Sequence, residues 1–166
     1  MGIDNPCAAH RGASGLAPEN TIAAMERALA FPFVEWIELD VQLSKDGVPV
    51  VIHDDTVDRT TDRKGRVADF TAAELQAMDA GSWFSREFRG EPVPTLEQVL
   101  ELTAGRCRLN IELKPYGGRY PGIEAAVAGM LRRHGLTNDT VITSFDPVAL
   151  KRVKEADSAL RTGLII

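Results

Sequence analysis

The feature that most constrains the fold is a regular alternation of short apolar segments with amphipathic helical segments. Strand-like segments such as "PCAAH" and "RCRLNIELK" are followed by helix-like segments such as "TIAAMERALA" and "PGIEAAVAGMLRRHGL", respectively. Strands that alternate with helices form parallel sheets, because a crossover connection must return the chain to the same end of the sheet. The pattern therefore predicts an α/β fold with a parallel sheet, and six strand-like segments can be counted.

The TIM-type (β/α) barrel is the architecture that fits this alternation, although a complete barrel needs about 250 residues. The chain has 166 residues, which suggests one domain. We therefore expect residues 1–166 to form an incomplete barrel with about six of its eight strands. The polar, turn-rich stretch at about 55–93 departs from the alternation and predicts a small insertion. An open barrel leaves a strand edge unpaired, so self-association through that edge is expected.

Composition excludes several classes of partner. The formal net charge is −5, whereas nucleic-acid-binding proteins carry basic patches. No segment approaches the length of apolar sequence that a membrane-spanning helix needs. The N-terminal "MGIDNPCAAHRG" does not resemble a signal peptide, so a cytoplasmic location is expected. Two isolated cysteines, Cys7 and Cys107, are expected to be buried free thiols rather than a disulfide.

The segment "IELD" at 37–40 carries carboxylates at alternate positions. In a strand, Glu38 and Asp40 share one face, and the intervening apolar side chains share the other. This pattern alone fits either an antiparallel strand with one solvated face or a barrel strand whose polar face looks into the barrel. The segment "IELK" at 111–114 repeats the alternation with Glu112 and Lys114, which favours the barrel.

The residues at the ends of the predicted strands suggest a site for phosphate chemistry. Three carboxylates in a small volume repel one another unless they share a cation or a proton, and oxygen ligands favour a hard ion such as Mg²⁺ or Ca²⁺. Imidazoles at strand ends suit proton transfer near neutral pH, and arginine and lysine suit a phosphate group. The candidates are Glu38, Asp40 and Glu112 for the metal, His10 and His53 for catalysis, and Arg11 and Lys114 for the substrate.

Each of these residues also has a structural explanation. A histidine at a strand end is more often a hydrogen-bonded structural residue, and Glu38 and Asp40 could form a solvated face. Lys114 could simply pair with Glu112, and Arg11 could be a partner in a structural ion pair. Only their joint placement at the ends of separate strands favours a metal-assisted site.

An ordered set of motifs resembles the glycerophosphodiester phosphodiesterase family. The motifs are "HRG" at 10–12, "PENT" at 18–21, "ELD" at 38–40, "DGVPVVIHDDTVDRTT" at 46–61, "LQAMDAGSWF" at 75–84, "PVPTLEQVL" at 92–100, "IELK" at 111–114 and "VITSF" at 141–145. The resemblance implies a TIM barrel that hydrolyses glycerophosphodiesters to an alcohol and glycerol 3-phosphate. It implies an acid–base pair, three metal ligands and two phosphate-contacting residues at the positions named above.

Two alternatives remain at this stage. A related phospholipase-type or sphingomyelinase-type phosphodiesterase would share two histidines and a carboxylate-bound metal, although "HRG", "PENT" and "IELK" favour the glycerophosphodiester group. The chain could also be a truncated or non-catalytic fragment that binds phosphodiesters, because the family normally continues for about two more strand–helix units. In the predicted insertion, Trp83 and Phe84 are expected either to line the entrance or to anchor the insertion to the barrel.

Overall fold

The computed structural model describes residues 7–115 and 120–166. The first six residues, which contribute to the expectation that no signal peptide is present, lie outside these ranges. The strands are β1 (Cys7–His10), β2 (Val34–Leu43), β3 (Pro49–Val51), β4 (Arg108–Leu113), β5 (Thr140–Ser144) and β6 (Arg161–Leu164). The α-helices are α1 (Ile22–Leu29), α2 (Ala72–Gln76), α3 (Leu96–Thr103), α4 (Ile123–Arg133) and α5 (Pro147–Ala156).

Five of the strands form one parallel sheet whose order follows the chain. The order is β1-β2-β4-β5-β6, and every neighbouring pair in it is parallel. In a doubly wound sheet the strand order would reverse at a switch point, whereas here each parallel strand adds to the same edge, as it does in a barrel. Among the residues that the structure describes, the sheet stays open between β1 and β6, so the expected incomplete TIM-type barrel is confirmed.

The third strand differs from the expectation of an all-parallel sheet. It pairs with β2 in the antiparallel direction, with Val41 opposite Val51, and lies off the parallel path. The cause is the short turn at 44–47, where the Gly47 amide donates to the Ser44 carbonyl and Gly47 has a φ of 77°. So short a turn returns the chain as a hairpin, whereas a parallel neighbour requires a crossover of a dozen or more residues.

The hydrophobic core lies between the sheet and the helices on its outer face. Ile37, Leu39 and Val41 of β2 have no solvent exposure, as the alternation of the strand predicts. They belong to one apolar cluster with residues of α1, α3, α4 and α5. The alternate side chains of β2 therefore face the inside of the open barrel, where they are available to build a site.

The helix starts agree with the sequence signals. Thr71 and Thr95 each cap a helix in a reciprocal capping box, with Glu74 and Gln98 as the respective partners, and Pro147 occupies the first turn of α5. Each box satisfies backbone N–H groups that the first turn of a helix leaves unpaired. At α1 the cap is Thr21 rather than Asn20, which leaves the Asn20 side chain available for another contact.

Residues 55–93 form an excursion between β3 and α3 with an apolar cluster of its own. The cluster includes Val57, Val67, Leu75 and Met78 and extends to Val50 of β3. The excursion contains α2 and two short 3₁₀-helices at Val67–Asp69 and Arg86–Phe88. Because these apolar side chains pack together with Val50 and away from water, they attach the excursion to the hairpin formed by β2 and β3.

The aromatic residues of the excursion interact mainly with each other. Trp83 and Phe84 meet edge to face with ring centroids 5.8 Å apart, and the Trp83 indole N–H donates to the Ala80 carbonyl at 2.9 Å. Phe84 also contacts Phe88 edge to face at 5.7 Å. These contacts lie within the excursion and hold the loop itself together, so both the anchoring role and the role at the entrance stay predictions.

Two other expectations can be compared with the structure. Both cysteines are free, as expected, but Cys7 is exposed and Cys107 is only partly buried. Cys7 begins β1, and Cys107 precedes β4 and packs against the edge of the core. In the parts of the chain that the structure describes, none of the helices has the length and apolar character needed to cross a membrane.

Candidate active site

Three carboxylates converge at the C-terminal ends of β2 and β4. The two strands are paired so that Asp40 lies opposite Glu112 and Glu38 lies opposite Asn110. Since alternate residues share a face, all three carboxylates project from the inner face of the sheet. One oxygen from each of Glu38, Asp40 and Glu112 lies within 4.8 Å of the other two.

The most buried of the three carboxylates, Asp40, is surrounded by cationic and amide groups. Its Oδ1 lies 3.2 Å from Lys114 Nζ, and its Oδ2 lies 3.3 Å from Arg11 Nε. Asn20 Nδ2 donates to the same Oδ2 at 2.9 Å. Lys114 also donates to Glu112, so this single ammonium group bridges two of the three carboxylates.

The electrostatics of the cluster favour an additional positive charge. Burial, together with the negative charges of Asp40 and Glu112, raises the pKa of Glu38 to about 7, against the lowering effect of the hydrogen bond from the Arg11 amide. Asp40 Oδ1 is buried and accepts no well-aligned hydrogen bond from the described residues. Three carboxylate oxygens at this separation, on residues that include a buried oxygen without a hydrogen bond, fit a divalent ion such as Mg²⁺ or Ca²⁺.

His10 and Arg11 reach the cluster through a tight turn after β1. Arg11 and Gly12 have φ values of 54° and 76°, and a side chain on Gly12 would lie 2.7 Å from the backbone of Ala24 in α1. At position 12, only glycine tolerates both a positive φ and so close an approach to the backbone of α1. The turn lets the Arg11 amide donate to Glu38 Oε2 at 3.0 Å and places His10 Nε2 3.7 Å from the same oxygen.

His53 lies in the loop after β3, not at the end of a strand as the sequence suggested. Strand β3 ends at Val51, and the Gln42 amide, on the inner face of β2, donates to the carbonyls of Ile52 and His53 at 3.1 and 2.9 Å. The ring Nδ1 lies 2.7 Å from Asp54 Oδ1. Antiparallel pairing of β3 thus brings His53 to the same rim that the parallel strands provide.

A cleft of about 460 Å³ opens beside these residues. Its walls include His53, Glu112 and Lys114, together with Phe145 and other residues that follow β4 and β5. Phe145 is 63% exposed, and its ring lies 5.9 Å from Lys114 Nζ. The cleft therefore places His53, Glu112 and Lys114 beside the exposed ring of Phe145, an apolar surface suited to a small organic group of a substrate.

The structure brings the sequence candidates together in two overlapping groups. Arg11, Lys114 and the three carboxylates form one connected network, and His10 touches it through Glu38. His53 joins through the cleft that it shares with Glu112 and Lys114.

Three polar residues of the site were missed as site residues in the sequence. Asn20 contacts Asp40, Gln42 holds the loop that carries His53, and Glu19 pairs with Arg11 at 2.9 Å. Asn20 and Glu19 lie within the "PENT" motif, and their presence there was the available signal.

The chain matches proteins of one family along nearly its whole length. The model of the Glycerophosphoryl diester phosphodiesterase family matches residues 10–166. A glycerophosphodiester phosphodiesterase from Caldanaerobacter subterraneus is 46% identical over 158 residues, covering 95% of this chain and 65% of the relative. This chain spans 64% and 65% of the length of two curated relatives that it matches.

Solved structures give the same result. The crystal structure of a glycerophosphodiester phosphodiesterase from Agrobacterium tumefaciens is 40% identical with a TM-score of 0.87, covering 95% of this chain and 65% of that one. An Oleispira antarctica phosphodiesterase, solved in complex with the product sn-glycerol-3-phosphate, is 38% identical with a TM-score of 0.91, covering 98% of this chain and 66% of that one. The resemblance seen in the motifs is confirmed, and the chain belongs to the glycerophosphoryl diester phosphodiesterase family.

Proposed function

We propose that this protein hydrolyses glycerophosphodiesters to an alcohol and glycerol 3-phosphate. The observation that carries the proposal is the convergence of three carboxylate oxygens within 4.8 Å at the rim of the sheet, next to a cleft lined by His53 and Lys114. Membership of the family and the product named for the Oleispira antarctica relative support the substrate class. Residues 1–166 would act as one barrel domain with the insertion at about 55–93.

We assign Glu38, Asp40 and Glu112 as the residues that would hold a divalent ion, Mg²⁺ or Ca²⁺. When bound, such an ion would neutralise charge on the phosphate and make an attacking hydroxyl group more acidic. The buried Asp40 oxygen without a hydrogen bond supports this assignment. In the absence of an ion, the Lys114 ammonium compensates part of the same negative charge.

Arg11 and Lys114 are the proposed phosphate-binding residues. Both cations already lie at the cluster, and Lys114 also borders the cleft. Positive groups held in a partly buried site stabilise the charge that develops on the phosphate oxygens in the transition state. The guanidinium of Arg11 would also fix the orientation of the phosphate, because its N–H groups form a planar fork.

His10 and His53 are the proposed acid–base pair. Displacement at phosphorus runs in line, so one group must remove a proton from the attacking oxygen while another protonates the departing alcohol oxygen on the opposite side. The two imidazoles come from different elements, the end of β1 and the loop after β3. The attacker is either water, or the neighbouring glycerol hydroxyl followed by opening of a cyclic phosphate by water.

A product assay tests the proposed function. Glycerophosphocholine and glycerophosphoethanolamine are supplied as substrates, with Mg²⁺ or Ca²⁺ and with a chelator. Release of glycerol 3-phosphate that stops in chelator and resumes with the ion is the expected result. Release of choline phosphate would instead indicate the related phospholipase-type activity. Binding of glycerol 3-phosphate without turnover would indicate the non-catalytic alternative.

Two further expectations, a cytoplasmic location and self-association, stay predictions. A cytoplasmic location was inferred from the N-terminal sequence. Self-association was inferred from the open sheet. In the described part of the chain, the outer edges of β1 and β6 pair with no other strand, which supports it, because an exposed strand edge is a template for pairing with another chain.

A further inference from the structure

Arg59, in the excursion after β3, sits between two carboxylates from different loops. Its Nε and Nη2 donate to the two oxygens of Asp54 at 2.7 and 3.0 Å. Its Nη1 and Nη2 donate to the two oxygens of Glu19 at 2.9 and 2.8 Å. Each carboxylate thus receives two parallel N–H bonds from one planar guanidinium, which is the geometry of strong, directional ion pairs.

Each of these carboxylates also contacts a residue proposed to take part in the reaction. Asp54 Oδ1 lies 2.7 Å from His53 Nδ1. Glu19 Oε1 accepts from Arg11 Nη1 at 2.9 Å. Arg59 therefore lies at the centre of a chain of charged groups that runs from the imidazole in one loop to the phosphate-binding guanidinium in another.

We propose that Arg59 is a positioning residue that holds His53 through Asp54 and Arg11 through Glu19. The inference rests on the proposed function, because positioning has meaning only for residues that act on the substrate. Arg59 itself is assigned no contact with the substrate. Its effect is to fix two loops, which belong to distant parts of the chain, in one relative geometry.

The chemistry of Asp54 explains how this contact would orient the imidazole. The hydrogen bonds from Arg59, with those from His53, lower the pKa of Asp54 to about 2 although partial burial acts in the opposite direction. An ionised carboxylate can only accept hydrogen bonds, so His53 Nδ1 carries the proton. In the neutral ring the lone pair is then on Nε2, the nitrogen that points away from Asp54 and can accept a proton.

The geometry requires arginine rather than a positive charge alone. One guanidinium reaches four carboxylate oxygens because its donors lie in a fixed plane, whereas the lysine ammonium is a point charge on a flexible stem. Arg59→Lys is therefore expected to retain attraction for Asp54 and Glu19 but to lose the fixed angle between them. This difference separates a positioning role from simple charge neutralisation.

Kinetics of single and double variants test the proposal. We expect Arg59→Ala to lower kcat by about 10-fold or more, since small misplacements of catalytic groups have large effects, and Arg59→Lys not to restore it. Added to His53→Ala, the same change should lower kcat by a smaller factor than in the wild type, because the part of the loss that acts through His53 is already gone while the part that acts through Glu19 and Arg11 remains. Arg66→Ala is the matched control, since Arg66 makes a two-pronged pair with Asp69 in the same excursion.

Two kinetic results would overturn the proposal. One is wild-type kcat in Arg59→Ala. The other is a loss of equal size in the wild-type and His53→Ala backgrounds, which would indicate a general structural role.

Nitrogen NMR of the histidine rings gives a readout that does not need activity. The chain has three histidines, so each signal can be assigned by single substitution. Arg59→Ala should shift the His53 ring nitrogens and leave those of His134, which pairs with Glu97, unchanged. Unmoved His53 signals would refute the inference. If the wild type releases no glycerol 3-phosphate, the proposed function fails, while the ring signals still decide whether Arg59 orients His53.

Discussion

At the scale of single residues, strand alternation made the central cluster predictable. Glu38 and Asp40 share a face because they are two positions apart in β2, and the register with β4 places Glu112 opposite Asp40. The partners of these residues were not predictable in the same way. Asn20 and Arg59 reach the site through loops, and Asn20 has a positive φ of 59°, a conformation that sequence periodicity does not encode.

Removal of either imidazole tests the proposed acid–base pair. His10→Ala and His53→Ala should each lower kcat by about 100-fold or more, because general acid–base catalysis contributes factors of this size. Steady-state release of glycerol 3-phosphate measures the effect. His134→Ala is the matched control, since His134 pairs with Glu97 at the end of α4. Near-normal turnover in either test variant would remove that histidine from the proposed mechanism.

At the scale of elements, local signals predicted the helices better than the direction of the strands. The capping boxes at Thr71 and Thr95 depend only on residues three positions apart, which can be read directly in the sequence. The direction of β3 depends on the length of its connection to β2, and the turn at 44–47 is too short for a crossover. Apolar periodicity alone cannot distinguish parallel from antiparallel strands, so the expectation of an all-parallel sheet was wrong at β3.

The excursion has a carboxylate whose ionisation should stabilise it. Hydrogen bonds from the Ser82 side chain and from the Ser82 and Gly81 amides lower the pKa of Asp79 from 3.8 to about 2. A carboxyl group with a lowered pKa in the folded state contributes stability above its unfolded pKa. That contribution should be lost as the pH falls from about 4 to about 2.

Urea unfolding at a series of pH values measures this contribution. At pH 7 we expect Asp79→Asn to lower the free energy of unfolding by about 1 kcal/mol, the usual size for such hydrogen bonds. The difference from the wild type should shrink as the pH approaches 2. A difference that stays constant from pH 7 to pH 2 would show that ionisation of Asp79 does not stabilise the fold.

At the scale of the whole molecule, the open sheet is the property with the clearest physical consequence. The parallel order β1-β2-β4-β5-β6 leaves one edge at each end, and Leu164 of the last strand is 52% exposed. The sequence predicted this openness from the number of strand–helix units. It could not predict which edge residues stay exposed, because that depends on how far the helices cover the sheet.

Sedimentation at several protein concentrations tests whether the open edge promotes association. We expect this 166-residue chain to form oligomers as its concentration rises. Leu164→Lys should weaken the association, because a charged side chain opposes pairing at a strand edge. A monomer of 18.1 kDa at all concentrations would contradict the expectation.

The central claim is that Glu38, Asp40 and Glu112 form one divalent-ion site at the rim of the sheet, and calorimetric titration with Mg²⁺ and Ca²⁺ tests it most directly. The wild type should bind one ion per chain, and Asp40→Asn should abolish or greatly weaken the binding, because Asp40 contributes the buried oxygen that lacks a hydrogen bond. Asp139→Asn, a change outside the cluster, should bind the ion as the wild type does. No ion binding by the wild type, or equal binding by Asp40→Asn, would contradict the account.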